Sequence, residues 1–451
     1  MIQLRSRTLF VGLALATVAG GYFFGCGSDE TTPTPPATPE GPQKGAWPPD
    51  PPKEAGPGDG EGLVVAVKKL FLGGTDRNGV ESKTAWKKYG YNLDHYISTK
   101  DSKNLCLPVK GGNAAAIYPD GDEGIDNSFG KNILPLILSL ANDAQDQVND
   151  NLLEGKFTIM VKIDKLGAKP DYVDLLAKLY AGGKLESPPK WDGTDEWPVL
   201  PELLSDPNDI ESSMVQFPKS YLASQTWVSG SPGELSLQLS VAGYTLTLEI
   251  GSAIISMAID PGRKSATGGV IAGVIDTELF IEELRKIAGS FDPGMCTGTT
   301  FDGLANQLRQ ASDIMKDATQ DPTKTCNGIS IGIGFDAAAV KLGGVAPPAE
   351  PGPDPCKCKK KDLPCNSEDM CCKNLACADW GTGPKCASEC SKNEECPDNC
   401  CAPVKGTEQK ACAPESFCGA GGAGGGAGGE GGSGEGGEAG GAGGAGGAGG
   451  K

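Results

Sequence analysis

Along residues 156–164, KFTIMVKID, apolar side chains recur at every second position: Phe157, Ile159, Val161 and Ile163. A period of two marks a strand with one buried face. The same reading places an opening strand at 63–73 (LVVAVKKLFLG) and a closing strand in 328–343 (GISIGIGFDAAAVKLG). Between them, ELSLQLSV (234–241), YTLTLEI (244–250) and AIISMAI (253–259) are separated by the turn-compatible pairs Ala242-Gly243 and Gly251-Ser252, and continue past DPGRKS into TGGVIAGVI. Four strand-like runs on short connections predict an antiparallel meander. Helices are expected at 128–153, 276–289 and 301–318; in the last, Leu304, Leu308, Ala311 and Met315 share one face. Segment 171–181, DYVDLLAKLYA, fits either period and leans to helix. The expected fold class is mainly β with inserted helices (α+β), an antiparallel β-sandwich-like domain followed by a small disulfide-rich module.

Composition sets the boundaries. Residues 1–25 have the layout of a lipoprotein-type signal peptide, with Arg5 and Arg7 ahead of an apolar run from Leu9 to Phe24. Residues 26–61 read as a Pro-rich disordered spacer, because TTPTPPATPEGPQKG and its neighbours carry too little apolar surface to order themselves. Residues 62–342 form the β-rich globular domain, long enough to bury about 75% of its unfolded surface. A Pro-rich hinge (343–355) leads to a cysteine-rich disulfide module (356–418) and a Gly/Ala-rich disordered tail (419–451).

Charge and cysteine usage narrow the setting. The formal net charge is −18, so a polyanionic partner is repelled and no nucleic-acid ligand is expected. Seventeen cysteines against one histidine point to an oxidising compartment. Cys26 follows Gly25 in FFGCGSDE, the position of the lipidated first residue of a bacterial lipoprotein. Phe23 and Phe24 depart from that pattern, so a cut after Ala16 or Ala19, or an uncleaved anchor, stays open. Setting Cys26 aside leaves an even number of cysteines for pairing. The expectation is export, with a lipid anchor to the outer membrane or cell surface, or else secretion.

Candidate chemistry is sparse. YPDGDEGIDNSFG (118–130) gathers Asp120, Asp122, Asp126 and Asn127 around two glycines, an oxygen-rich set of the kind calcium prefers. It is not an EF-hand loop, since Gly124 and Ile125 fall at its fifth and sixth positions and Lys131 where a bidentate Glu belongs. The other reading is a turn in which Asn127 or Ser128 caps the next helix. GTDRNG (74–79) offers Asp76 and Asn78 in the same two senses. In KWDGTDEWP, Trp191 and Trp197 bracket Asp192 and Asp195, a combination suited to stacking on and bonding a sugar, or else two core or interface tryptophans. Paired carboxylates for glycoside hydrolysis are available from so many acids that the pattern selects none. His95 is the only histidine and no G-x-S-x-G elbow is present, so serine-nucleophile chemistry has no support.

The cysteine spacing is the sharpest pattern. From Cys365 it runs through Cys371, Cys372, Cys377, Cys386 and Cys390, and a similar arrangement follows at Cys396, Cys400, Cys401, Cys412 and Cys418. CNSEDMCCKNLAC resembles the run in Dickkopf N-terminal cysteine-rich domains and, more loosely, knottin toxins; the resemblance covers about fifty residues, rests on cysteine spacing, and implies a disulfide-held protein-interaction module. Cys296 and Cys326 flank the 301–318 helix and are expected to pair, leaving Cys106 to reach Cys356 or Cys358 or to stay free. The chain as a whole resembles secreted, Gly/Ala-tailed lipoproteins of myxobacteria in runs such as TDRNGVESKTAWKKYGYNLD, a group that implies location and no activity. The functional expectation is a non-catalytic binding protein with an unknown glycan or protein ligand. The alternatives are a secreted carboxylate-dependent glycan hydrolase and a structural envelope protein.

Overall fold

The computed structural model describes residues 41–140, 143–241, 244–291, 295–296, 299–348, 355–365, 371–372, 375–405, 407 and 409–419. Residues 1–25, read as a signal peptide, Cys26, the spacer-like residues up to 40 and the tail from residue 420 lie outside the described residues. The first strand, β1 (Leu63–Phe71), is followed by the short helices α1 (Ala114–Ile117), α2 (Leu134–Leu140) and α3 (Ala144–Leu153). Next come β2 (Thr158–Ile163), β3 (Tyr172–Gly182), β4 (Glu196–Val199), β5 (Gln216–Ala223), β6 (Thr226–Val228), β7 (Gly233–Val241), β8 (Tyr244–Ile259) and β9 (Ser265–Asp276). Two amphipathic helices, α4 (Thr277–Phe291) and α5 (Thr299–Gln310), precede β10 (Gly328–Ala339) and β11 (Lys341–Val345).

The expected mainly β domain with inserted helices is what forms, and its two faces belong to one continuous sheet. Strands β3-β2-β1-β10-β9-β8-β6-β5 pair in that order, all antiparallel, and β5 returns to β3 to close an eight-stranded barrel. β7 pairs with β8 outside this ring, and β11 pairs with β4 in parallel. Closure removes the free edges that an open antiparallel sheet would leave.

The alternation in β10 shows how sequence builds the wall. Ile329, Ile331, Ile333, Phe335 and Ala337 all enter the main apolar core. The intervening Gly332 and Gly334 face a covering segment that comes very close: a Cβ on Gly332 would lie 2.0 Å from the Tyr89 carbonyl oxygen. β9 does the same with two apolar faces, Ile271 and Ile275 in the main core and Val270, Ala272 and Val274 in a second cluster with Tyr91, Leu93 and Ile314. Phe280, Ile281, Leu284 and Ile287 of α4 and Phe301, Ala305 and Leu308 of α5 continue the main core.

Three expectations are corrected. Segment 171–181 is strand, not helix: β3 pairs with β2 on one side and β5 on the other. A bulge near Asp174, whose φ is 51°, shifts the inward set from Tyr172 to Leu175, Ala177, Leu179 and Ala181, so the period of two is broken at its start. The 301–318 helix stops at Gln310, because the Asp313 amide leaves to bond Gly328 O on β10. Cys296 and Cys326 do not bond each other. The Leu107 amide donates to Lys324 O and the Cys326 amide to Leu107 O, which lays Cys106 beside Cys326, and these two form the bond. Cys296 bonds Cys356, the residue directly after the hinge.

Residues 41–61, spacer-like in composition, lie against the barrel. The Gln43 amide donates to His95 O, Ala46 to Glu123 O and Gly60 to Lys165 O, while Gly56 O accepts from Val173. The segment has no core of its own and uses backbone bonds and the Trp47 ring, 5.1 Å from His95 and 6.1 Å from Tyr91.

The cysteine module contains two small hairpins, β12 (Leu375–Asp379) with β13 (Pro384–Ser388) and β14 (Cys401–Pro403) with β15 (Lys410–Cys412). Its bonds are Cys358–Cys372, Cys365–Cys377 and Cys371–Cys386, then Cys390–Cys401, Cys396–Cys412 and Cys400–Cys418. Within each set of six, the first cysteine bonds the fourth, the second the fifth and the third the sixth. The module is therefore a tandem pair with one pairing rule, and the first member begins at Cys358, seven positions ahead of the run that the spacing singled out.

Candidate functional site

The 118–130 loop is drawn into the protein, and its acids divide. Asp126 is buried, Asp120 is half-buried and Asp122 is exposed. The Asp126 carboxylate accepts the amides of Leu93 (2.7 Å) and Asp94 (3.3 Å), and Asp120 accepts the amide of Ser98. Two carboxylates that the sequence did not single out join them. Asp94 accepts from Tyr96 N and from Gln320 Nε2, both at 2.7 Å, and Asp313 accepts from the amide and hydroxyl of Ser330. Gln320 ties the group together, since its Nε2 also donates to Asp313 O and its Oε1 accepts the Cys106 amide. Three segments thus meet: 91–98, 118–131 and 311–330.

Taking charge out of water disfavours ionisation, and like charges nearby disfavour it further. Burial pushes the Asp126 carboxyl well above the usual range, with Asp94, Asp120 and Asp313 adding to the push. Burial raises Asp120 to about 9 and Asp313 to about 7, and it also raises Asp94. Lys131, which donates to Pro119 O at 2.7 Å, is lowered by its own burial.

Of the expected calcium set, Asp120 and Asp126 come together, whereas Asp122 turns to solvent. Asn127 is committed to the backbone: its Nδ2 donates to Trp86 O, Tyr89 O and Gly332 O, and its Oδ1 accepts Gly130 N and Gly332 N. The bond to Gly130, three residues on, is the helix-capping contact that the other reading of this loop required. Among the described residues, the only groups of three or more acidic, Cys or His ligand atoms gathered within 4.8 Å are cysteine sets, and their sulfurs are in disulfides. Asp76 closes its own turn by accepting Asn78 N and Val80 N.

The Trp191–Trp197 segment is a folded loop. Trp197 is fully buried and donates to Gly183 O at 2.7 Å, and Trp191 leans on it with ring centres 5.3 Å apart. Asp195 accepts the amides of Lys190 and Trp191, and Asp192 accepts the amide and hydroxyl of Thr194. These acids shape the turn.

An open groove of about 440 Å³ lies elsewhere, where β3 meets β5 at the closure of the barrel. Trp47, Asp50, Asp174, Lys219, Tyr221 and Ser231 line it. Asp174 and Lys219 form an ion pair at 2.7 Å, and Asp50 pairs with Lys44 at 2.9 Å. The Tyr221 hydroxyl donates to Pro49 O, fixing the 41–61 segment as one bank. Sequence reasoning missed this groove because its parts come from three separated segments and its tryptophan sits in spacer-like sequence.

No family model, no curated protein and no solved structure matches this chain.

Proposed function

We propose that the chain is an exported protein, held to the outer membrane or cell surface by lipid on Cys26, whose barrel and cysteine module act as binding surfaces for a glycan or protein ligand. One observation carries the reading. Sixteen of the seventeen cysteines are joined in eight disulfides, and the seventeenth is Cys26. Such complete pairing belongs to an oxidising compartment. It also sets apart the one cysteine whose sequence context suits lipidation. Growth of a bacterial host in an alkyne-bearing fatty acid tests this. The wild-type chain takes up label and sediments with membranes, and Cys26→Ala does neither. A wild-type chain found unlabelled and soluble refutes the anchor.

A hydrolase reading has one observation in its favour: Asp313, raised to about 7, can hold a proton at neutral pH as a general acid must. Both of its oxygens, however, already accept bonds from Ser330. It requires that Asp313→Asn abolish release of reducing sugar from a polysaccharide that the wild type cleaves.

A further inference from the structure

We infer that the groove at the barrel closure binds a neutral oligosaccharide, with Trp47 as the stacking platform and Asp174, Lys219 and Asp50 as the groups that orient hydroxyls. The inference rests on the binding role proposed above and is independent of the lipid anchor.

Size comes first. About 440 Å³ falls in the range of roughly 300–1,000 Å³ typical of small-ligand sites. Construction comes next. Asp174 sits in the left-handed region at φ 51°, within the stretch where the β3–β5 register slips. Bulges re-aim side chains, and a non-glycine residue in this conformation costs about 1–3 kcal/mol that the rest of the fold must offset. Here the result is a carboxylate brought to Lys219 across the closure, on the groove wall.

The wall chemistry selects the ligand class. Each groove carboxylate already has a lysine partner: Asp174 pairs with Lys219, which also lines the groove, and Asp50 pairs with Lys44, which does not. A charged ligand would gain one contact and lose another. A hydroxyl both donates and accepts, and it fits beside an ammonium–carboxylate pair without breaking it. Trp47 is half-buried, its ring lies against those of Tyr91 and His95, and the residue also lines the groove. A fixed indole beside orienting polar groups suits the apolar face of a pyranose. An extended peptide adding itself as a strand is less well served, because the β3 amide at Val173 is already bonded to Gly56 O.

The experiment is calorimetric titration of the full chain with the neutral hexasaccharides cellohexaose, maltohexaose and the hexamer of N-acetylglucosamine. Hexamers of glucosamine and galacturonate and a Pro-rich peptide serve as charged and peptidic comparators. At least one neutral hexasaccharide is expected to bind, and Asp174→Asn and Trp47→Ala are each expected to weaken it about tenfold or more. Trp191→Ala should leave it unchanged. Trp47 also packs against the barrel, so its variant is checked by thermal unfolding; Asp174 and Lys219 are exposed, and Asp174→Asn tests the site without that complication. No binding of any neutral hexamer overturns the inference. So does binding that both variants leave intact, or binding confined to a charged hexamer or the peptide. Sugar binding by a chain that carries no lipid would leave this inference standing and remove the anchor.

Discussion

The barrel and the cysteine module are held together by opposite means. The barrel buries long apolar side chains from all eight wall strands and β7, together with four helices, in one continuous core. The module's buried apolar residues are mostly small: Ala376, Ala378, Val404 and Ala411, then Ala402 and Ala413. A region of that size cannot offset its chain entropy by burial alone, and cross-links must limit the unfolded state instead. Two of the protein's eight disulfides involve the barrel, Cys106–Cys326 and the link Cys296–Cys356, while six serve a region a fraction of its length. Covalent reinforcement is concentrated where the hydrophobic effect is weakest.

Reduction should separate the two regions most strongly. With dithiothreitol at a fixed temperature, limited proteolysis should cut throughout 358–418 while 62–340 stays protected. Loss of one native disulfide from a small domain costs about 2–5 kcal/mol, and each half of the module has three. Simultaneous digestion of the barrel would show that its core is not self-sufficient. The converse change is Leu248→Ala in β8, where the side chain is 1% exposed. It should lower barrel stability by about 2–5 kcal/mol in urea titration and leave the module's protection under oxidising conditions unchanged.

A smaller effect concerns the acid cluster. Asp94, Asp120, Asp126 and Asp313 have folded-state values raised above that of the unfolded chain. The folded state therefore binds more protons, and the stability they contribute is complete below about pH 4. It falls as pH climbs through about 7 for Asp313 and about 9 for Asp120. The barrel's unfolding midpoint should decline from pH 5 to pH 9, and Asp126→Asn should flatten the decline. A midpoint that rises across this window would contradict the assignment. The least effect belongs to Asp122→Ala: an exposed side chain should change stability by no more than about 0.5 kcal/mol, in EDTA or in millimolar calcium. A calcium-dependent midpoint lost in this variant would establish the loop as a cation site.

The legible parts of the fold were those with an uninterrupted period. β2, β9 and β10 were readable because Ile159, Val161 and Ile163, or Ile329, Ile331 and Ile333, alternate without a break, whereas β8 read as two strands because Gly251-Ser252, which looks like a turn, is an irregularity inside one strand where Ser252 has a φ of 49°. β3 was hidden by its bulge at Asp174. Closure of the barrel was also hidden, because nothing local in β5 announces that it returns to β3. The acid cluster was half legible. Asp120 and Asp126 stood together in a conspicuous loop, but Asp94 and Asp313 are single acids in other segments that only the folded chain assembles. Their one sequence signal is an isolated acid next to a single apolar residue, Leu93 in NLDHY and Ile314 in SDIM. The Trp191 loop was legible as a motif and misleading as a site, since its acids serve their own amides.

The pairing of Val65 with Ala339 has a consequence for the order of events in folding. The first wall strand to emerge cannot meet one of its two neighbours until almost the whole domain has followed, and Cys106 waits equally long for Cys326. Such distant contacts slow folding and leave a strand edge exposed in the interval. A chain delivered across a membrane from its first residue would present that edge for the full duration of transfer. A holding factor that shields unpaired strands should therefore raise the yield of this protein more than that of a barrel whose first strand pairs only with its near neighbours.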